Sequence, residues 1–166
     1  MIIIAHRGNV RGPNPKKENK PSYLENALSN GYQVECDVWY DKGWWLGHDK
    51  PQYKTDLIWL SITGGLWVHC KNLKAMELLT KQHINVGNCP HFFWHENDKV
   101  ALTSHGVLWT YPRGKLTSMS VCVLPEIGAY TVKELMKPMG LCTDLCDKYK
   151  KMFMKKMFVN KYGRRK

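Results

Sequence analysis

Apolar residues occur along this chain in short blocks, each closed by polar or turn-forming residues, and the blocks predict a sheet with few helices. Met1 to Ala5 is an apolar run suited to a buried strand, stopped by His6-Arg7-Gly8. Residues 9 to 20 carry Gly and Pro without periodicity and predict a long loop. Tyr23, Leu24, Ala27 and Leu28 fall at helical spacing, so residues 22 to 30 predict a helix with Ser22 as N-cap and Gly31 as its stop.

The block from Val34 to Trp39 predicts the next strand. A two-residue period puts Glu35 and Asp37 on one face and Val34, Cys36 and Val38 on the other. Asp41-Lys42-Gly43 marks a turn before a short extended piece, Trp44 to Leu46, and Gly47 to Pro51 is irregular. Trp59 to Ile62 is too short to assign. Leu66 to Cys70 predicts a strand, followed by a helix from about Leu73 to Gln82. Residues 92–94, 106–109, 120–124 and 140–142 are further short apolar runs, bringing the predicted strands to seven.

Uniform apolar runs with polar residues at their C-terminal ends indicate a largely parallel sheet. The fold class expected is α/β, as a compact or incomplete (β/α) barrel of the TIM type, with an open doubly wound sheet as the alternative. A full barrel takes about 250 residues and rarely fewer than about 200. The chain has 166, so connecting helices must be missing.

Composition narrows the class. Hydrophobic content of 43% with 23% charged residues describes an ordinary globular chain. No apolar run is long enough for a membrane span or a cleaved leader, so a cytoplasmic protein is expected. The net charge of +11 is uneven. Nine of the 25 basic residues lie in residues 148 to 166, which hold no acid; the remaining 16 face 14 acidic residues, and the body carries only +2. The chain therefore divides into a barrel domain, residues 1–147, and a basic C-terminal helix or tail, residues 148–166. Tyr149, Phe153 and Met157 recur every four residues in the tail and suit packing on the sheet. Peripheral contact with an anionic membrane is the partner reading for its lysines. Nucleic acid is disfavoured because the body offers no basic stripe. Six cysteines without a Cys-x-x-Cys pair read as free thiols.

The chemistry lies at the strand ends. Glu35 and Asp37 share a face, as do His69 and Lys71, while Cys36 and Cys70 point the other way. Two carboxylates and an imidazole can hold one divalent cation, and His6 and His48 remain to move protons. Arg7 and Lys71 supply charge for a phosphate. A phosphodiester needs this combination: a cation over its oxygens, a base for the nucleophile and an acid for the leaving alkoxide. Each spacing has a bland alternative, from a solvated carboxylate pair to a core histidine, and only their joint occurrence is informative.

His6-Arg7-Gly8, Glu18-Asn19, Glu35-Cys36-Asp37 and Gly47-His48-Asp49, in that order, resemble the successive signatures of the glycerophosphodiester phosphodiesterases, within the phospholipase-C-like phosphodiesterases. The resemblance covers roughly residues 1 to 71, with a looser echo in Gly140 to Asp144. It implies a (β/α) barrel, His6 and His48 as the acid/base pair, and Glu35 and Asp37 as ligands of magnesium or calcium. The family's third metal-binding glutamate is replaced by His69, a softer ligand that favours Mg²⁺, Mn²⁺ or Zn²⁺ over Ca²⁺, with Mg²⁺ expected. The implied reaction splits a small glycerophosphodiester to glycerol 3-phosphate and an alcohol through a cyclic phosphate. Arg7, Lys71, Glu18, Asn19, Trp94, Trp109 and Glu126 are the expected phosphate or substrate contacts, with His95, also at a predicted strand end, as a further pocket wall. The alternatives are phospholipase-D-like cleavage of lysophospholipid or sphingolipid head groups, and an inactive polyanion-binding barrel.

Overall fold

The computed structural model describes residues 1–87 and 89–162, with side chains described through residue 156. Its strands are β1 (Ile2–Ala5), β2 (Gln33–Tyr40), β3 (Trp44–Leu46), β4 (Tyr53–Thr55), β5 (Leu66–Cys70), β6 (His91–Phe93), β7 (Val100–Leu102), β8 (Leu108–Thr110), β9 (Ser120–Val123) and β10 (Gly140–Thr143). Its helices are α1 (Pro21–Ser29), α2 (Leu57–Ile62), α3 (Leu73–Val86) and α4 (Cys146–Tyr162).

All ten strands join one sheet. Seven form a parallel path in the order β6-β5-β2-β1-β10-β9-β8. The short strands β3, β4 and β7 are antiparallel additions; β3 is the extended piece expected at Trp44 to Leu46, whereas the apolar pattern did not mark β4 and β7. The hydrogen-bonded ladder does not close on itself. Its two ends nevertheless meet: the Phe93 ring on β6 stacks 4.6 Å from Trp109 on β8, and the Ser104 amide, between β7 and β8, donates to the Phe92 carbonyl at 2.8 Å. Strands at opposite ends of a path can touch this way only if the sheet curls.

The curl separates two apolar regions. Ile4, Trp67, Phe93, Trp109, Val121, Val123 and Cys142 pack together on the concave side. On the convex side, Val34, Cys36 and Val38 of β2 and Leu66, Val68 and Cys70 of β5 pack against Leu24 and Ala27 of α1 and Ala75 and Leu79 of α3. The period-two reading of β2 and β5 therefore holds, and Cys36 and Cys70 are core thiols.

Helix boundaries depart from expectation where local chemistry was misread. Helix α1 starts at Pro21, with Lys20 in the cap position and no side-chain cap, so Ser22 is not an N-cap. Proline at the first helical position has the right φ and lacks only an amide hydrogen that no helical carbonyl would accept. Helix α3 runs four residues past Gln82, from the Asn72 side-chain cap to Gly87 at φ 73°. The stretch left unassigned around Trp59 is α2, capped by Asp56. Helix α4 starts at Cys146, and Tyr149 and Phe153 pack with Leu141 and Cys122, so the boundary expected at 147/148 falls inside a helix that is part of the core. The Met157 side chain and residues 163–166 lie outside the described residues. Among the described residues no helix is long and apolar enough to cross a membrane.

Candidate active site

The C-terminal ends of β1, β2, β5, β8, β9 and β10 converge on one opening. His6, Arg7, Glu35, His48, His69, Lys71 and Trp109 all line a cavity of ≈ 360 Å³ there, together with His95 and Tyr111. A neighbouring cavity of ≈ 330 Å³ shares His6, Arg7 and His48 and adds Glu18, Asn19 and Asp144.

The turn after β1 is tightly shaped. Arg7 sits in the left-handed region at φ 51°, ψ 26°, and its amide donates to Glu35 Oε2 at 3.1 Å. Gly8 follows at φ 85°, and a Cβ there would stand 2.9 Å from Tyr23 Cδ1. Asn19 is also left-handed, at φ 61°. A non-glycine residue held there costs of order 1–3 kcal/mol and persists only where surrounding contacts fix it. For Asn19 those contacts are two bonds to one residue: its Nδ2 donates to Asp37 Oδ2 at 2.8 Å, and its Oδ1 accepts from the Asp37 amide at 2.9 Å.

Asp37 is the hub of the charge network. Arg7 Nε lies 3.1 Å from Oδ2, while His69 Nδ1 and Lys71 Nζ lie 3.0 and 3.6 Å from Oδ1. Burial opposes its ionisation, but the His69 hydrogen bond and the Arg7, His69 and Lys71 charges outweigh burial and hold the carboxyl well below the usual range. Glu35 behaves oppositely. It is buried, and burial together with the Asp37 charge raises its pKa.

His6 has a carboxylate partner on one nitrogen. Its Nδ1 donates to Asp144 Oδ1 at 2.9 Å, and its Nε2 stands 4.0 Å from Glu35 Oε2. Burial disfavours the charged ring, yet the Asp144 bond and the Glu35 charge prevail, so the His6 pKa is raised. Asp144 is lowered because the His6 bond and charge overcome its own burial. Asn9 Nδ2 donates to Asp144 Oδ1 at 2.8 Å and to Glu18 Oε1 at 2.9 Å, tying the two loops together. Glu18 in turn accepts from Arg7 Nη1 at 3.2 Å.

His48 stands at the rim with its side chain 40% exposed, and its Nδ1 donates to Asp49 at 2.6 Å. Gly47 at φ 146° places it. A Cβ on Gly47 would lie 2.2 Å from the Lys50 carbonyl oxygen, and the Gly47 carbonyl accepts from Trp39 Nε1 at 2.6 Å.

Two expected substrate contacts stand elsewhere. Trp94 is half-buried at the end of β6 and lines neither cavity. Glu126 also lines neither; its carboxylate accepts from Thr143 Oγ1 at 2.9 Å and from the Asp144 amide at 2.9 Å, so it braces the loop that carries Asp144. Both readings came from position at a strand end, which gives depth along the sheet but not direction.

Asp144, Asn9 and Tyr111 belong to the site without having been singled out as site residues, whereas His95, expected as a pocket wall, lines the cavity. The Thr143-Asp144 echo was the available signal for Asp144. His95 stacks between His69 and Tyr111, at centroid distances of 4.9 and 3.9 Å. Its Nδ1 and the Tyr111 hydroxyl are buried without partners. Burial and the His69 and Lys71 charges lower the His95 pKa to about 4. His83, His91 and His105, given no role from sequence, form a ring cluster beside Trp67 at the opposite end of the strands, with centroid separations of 3.9 to 4.9 Å.

The residues present fit one divalent cation. One donor atom each from Glu35, Asp37 and His69 lies within 4.8 Å of the others, and this is the one such group of three among the described residues. Glu35, buried with its ionisation disfavoured, is the ligand that a cation would relieve most. Asp37 now meets Asn19 and Arg7 at Oδ2 and His69 and Lys71 at Oδ1, so it would bind the ion in place of Arg7 or Lys71, while its bond to His69 Nδ1 would orient that ring for coordination through Nε2. No protein-family model matches the chain, and no curated protein or solved structure matches it significantly.

Proposed function

We propose that the protein is a metal-dependent phosphodiesterase that hydrolyses glycerophosphodiesters to glycerol 3-phosphate and an alcohol on an incomplete (β/α) barrel. The observation that carries this reading is one cavity lined by a carboxylate-anchored histidine, a second histidine, the cations Arg7 and Lys71, and the Glu35 and His69 members of a Glu-Asp-His donor set. A barrel places such groups together because its strands all end at one face. The six thiols, free in the structure, agree with a cytoplasmic location.

Glu35, Asp37 and His69 would hold a divalent ion, Mg²⁺ first with Mn²⁺, Zn²⁺ or Ca²⁺ as alternatives, which when bound would supply Lewis-acid stabilisation of charge on the phosphoryl oxygens. Arg7 and Lys71 neutralise the diester, which requires them to turn part of their charge from Asp37 to the substrate. His6 is the first base. Asp144 holds its Nδ1–H, leaving Nε2 as the nitrogen that takes the proton of the neighbouring glycerol hydroxyl, and the raised pKa makes it the stronger acceptor. His48 at the rim protonates the departing alcohol. Water then opens the cyclic phosphate with the two proton roles exchanged. Trp109, Tyr111, Val123 and Leu124 wall one side of the cavity with apolar surface, which favours a second reading, cleavage of lysophospholipid or sphingolipid head groups.

Turnover of glycerophosphocholine and of a lysophospholipid by the purified protein, with and without a chelator, tests and separates these readings. The first predicts chelator-sensitive release of glycerol 3-phosphate, abolished in His6→Ala and in His48→Ala. Retained turnover in both variants would overturn the assignment.

A further inference from the structure

A groove of ≈ 710 Å³ among the described residues lies apart from the cavity that holds the chemistry. It runs beside α4, and four cations line it: Arg11, Lys148, Lys151 and Lys155. The three lysines fall at i, i+3 and i+7, on one helix face, and all three are exposed. The acid in the groove, Asp147, is already engaged by Arg11 Nε at 2.9 Å and by the Tyr32 hydroxyl at 2.7 Å. The floor is apolar, made by Val10, Leu145 and Met152. Met154 on the same helix is 55% exposed.

The groove starts at the rim of the candidate active site. Val10 lies on the loop that follows His6 and Arg7, Leu145 follows Asp144 directly, and the Asp147 amide donates to the Val10 carbonyl at 3.2 Å. A surface seated in the groove would therefore lie next to the opening between the strand ends.

We propose that this groove docks the protein on an anionic phospholipid bilayer. The lysine and arginine heads meet lipid phosphates and carboxylates, while their stems and the apolar floor meet the glycerol and upper acyl region. Charge complementarity selects the occupant. Three lysines with no acidic partner among the described residues, over an apolar floor, match an interface that is anionic outside and apolar beneath, whereas a single-stranded nucleic acid calls for aromatic stacking surfaces, and no aromatic side chain lines this groove among the described residues. The docking stands without the reaction; only its use, presenting the mouth to lipid-derived diesters, rests on the phosphodiesterase reading.

Sedimentation with vesicles of phosphatidylcholine alone, or of phosphatidylcholine mixed with phosphatidylserine, tests the proposal with no divalent ion present. Binding is expected only to the mixed vesicles and should weaken as salt is raised. Lys148→Glu/Lys151→Glu/Lys155→Glu should lower the partition coefficient by at least about a hundredfold, from the loss of three surface cations. The matching lysine-to-arginine triple should bind as the parent does. Turnover of a soluble diester should be the same in all three proteins, so failure of docking and failure of the proposed reaction are read separately. Equal binding to both vesicle types, no binding to either, or undiminished binding by the glutamate triple overturns the proposal. So does displacement from the mixed vesicles by an RNA oligomer at lower concentration than the lipid.

Discussion

Replacing Asp144 by asparagine removes a charge and keeps the shape. The native carboxylate accepts from His6 Nδ1 at 2.9 Å with both side chains largely buried, at 14% and 16% exposure. A hydrogen bond to a charged group in such a place contributes about 1.5–3 kcal/mol. If that energy is expressed where His6 gains its proton in the transition state, kcat/KM falls roughly tenfold to a hundredfold. The sign of the pH effect follows from the raised His6 pKa. His6 works as a base only when neutral, so the rate should climb as pH rises through that pKa, and Asp144→Asn, which lowers it, should move the climb to lower pH. The stability terms run as linkage requires. The His6 contribution is full below the unfolded histidine pKa and is lost as pH rises through the raised folded value; the Asp144 contribution is present above the unfolded carboxylate pKa and is lost as pH falls through the lowered one. The assay is kcat/KM on a soluble glycerophosphodiester across pH, with circular dichroism to confirm the fold. A folded variant with parental rate and parental pH profile would refute the role given to Asp144.

Other outcomes follow from the same geometry. Asp37→Asn leaves Arg7 and Lys71 facing a neutral buried group, so stability should fall by about 3–5 kcal/mol and the melting temperature by roughly 10 °C. Because the Asp37 pKa is held low, its stabilisation is present above the ordinary carboxylate pKa and is lost as pH falls through the folded value; the melting gap between parent and variant should narrow only in strong acid. Gly47→Ala drives a methyl group onto the Lys50 carbonyl and displaces His48, so calorimetry should show a lower melting temperature and turnover should drop; a variant with both unchanged would mean that the rim turn is not needed. Burial pushes the Cys70, Cys122 and Cys146 thiols up to about 12, so a neutral-pH alkylating agent should label half-buried Cys89 first in the native protein and all six thiols in denaturant, as mass spectrometry can read.

The fold was legible where periodicity speaks directly. Alternation along β2 and β5 put Glu35, Asp37 and His69 on the concave face and Cys36 and Cys70 in the outer core, as the structure has them. The three-residue strands β4 and β7 are too short for any period to register, and a sheet's curl depends on which ends touch, here through Phe93 and Trp109, a pair apart in sequence. The site was legible for the same reason, from paired residues on one strand. Glu126 shows the limit: its position suited a pocket wall, yet its carboxylate turns to Thr143 and the Asp144 amide. Tyr111 was hidden because no local pattern after β8 says that it stacks on His95, which in turn stacks on His69. Loop residues take direction from contacts made across the fold, and no local signal encodes those.

The central claim is that this opening cleaves a phosphodiester. Phosphorus NMR of glycerophosphocholine incubated with the Mg²⁺-loaded protein tests it without any coupled reagent. The account predicts that the diester resonance is replaced by a transient cyclic phosphate and then by glycerol 3-phosphate, and that neither appears with His6→Ala. A diester signal that persists unchanged at high protein concentration, with magnesium or manganese present, contradicts it.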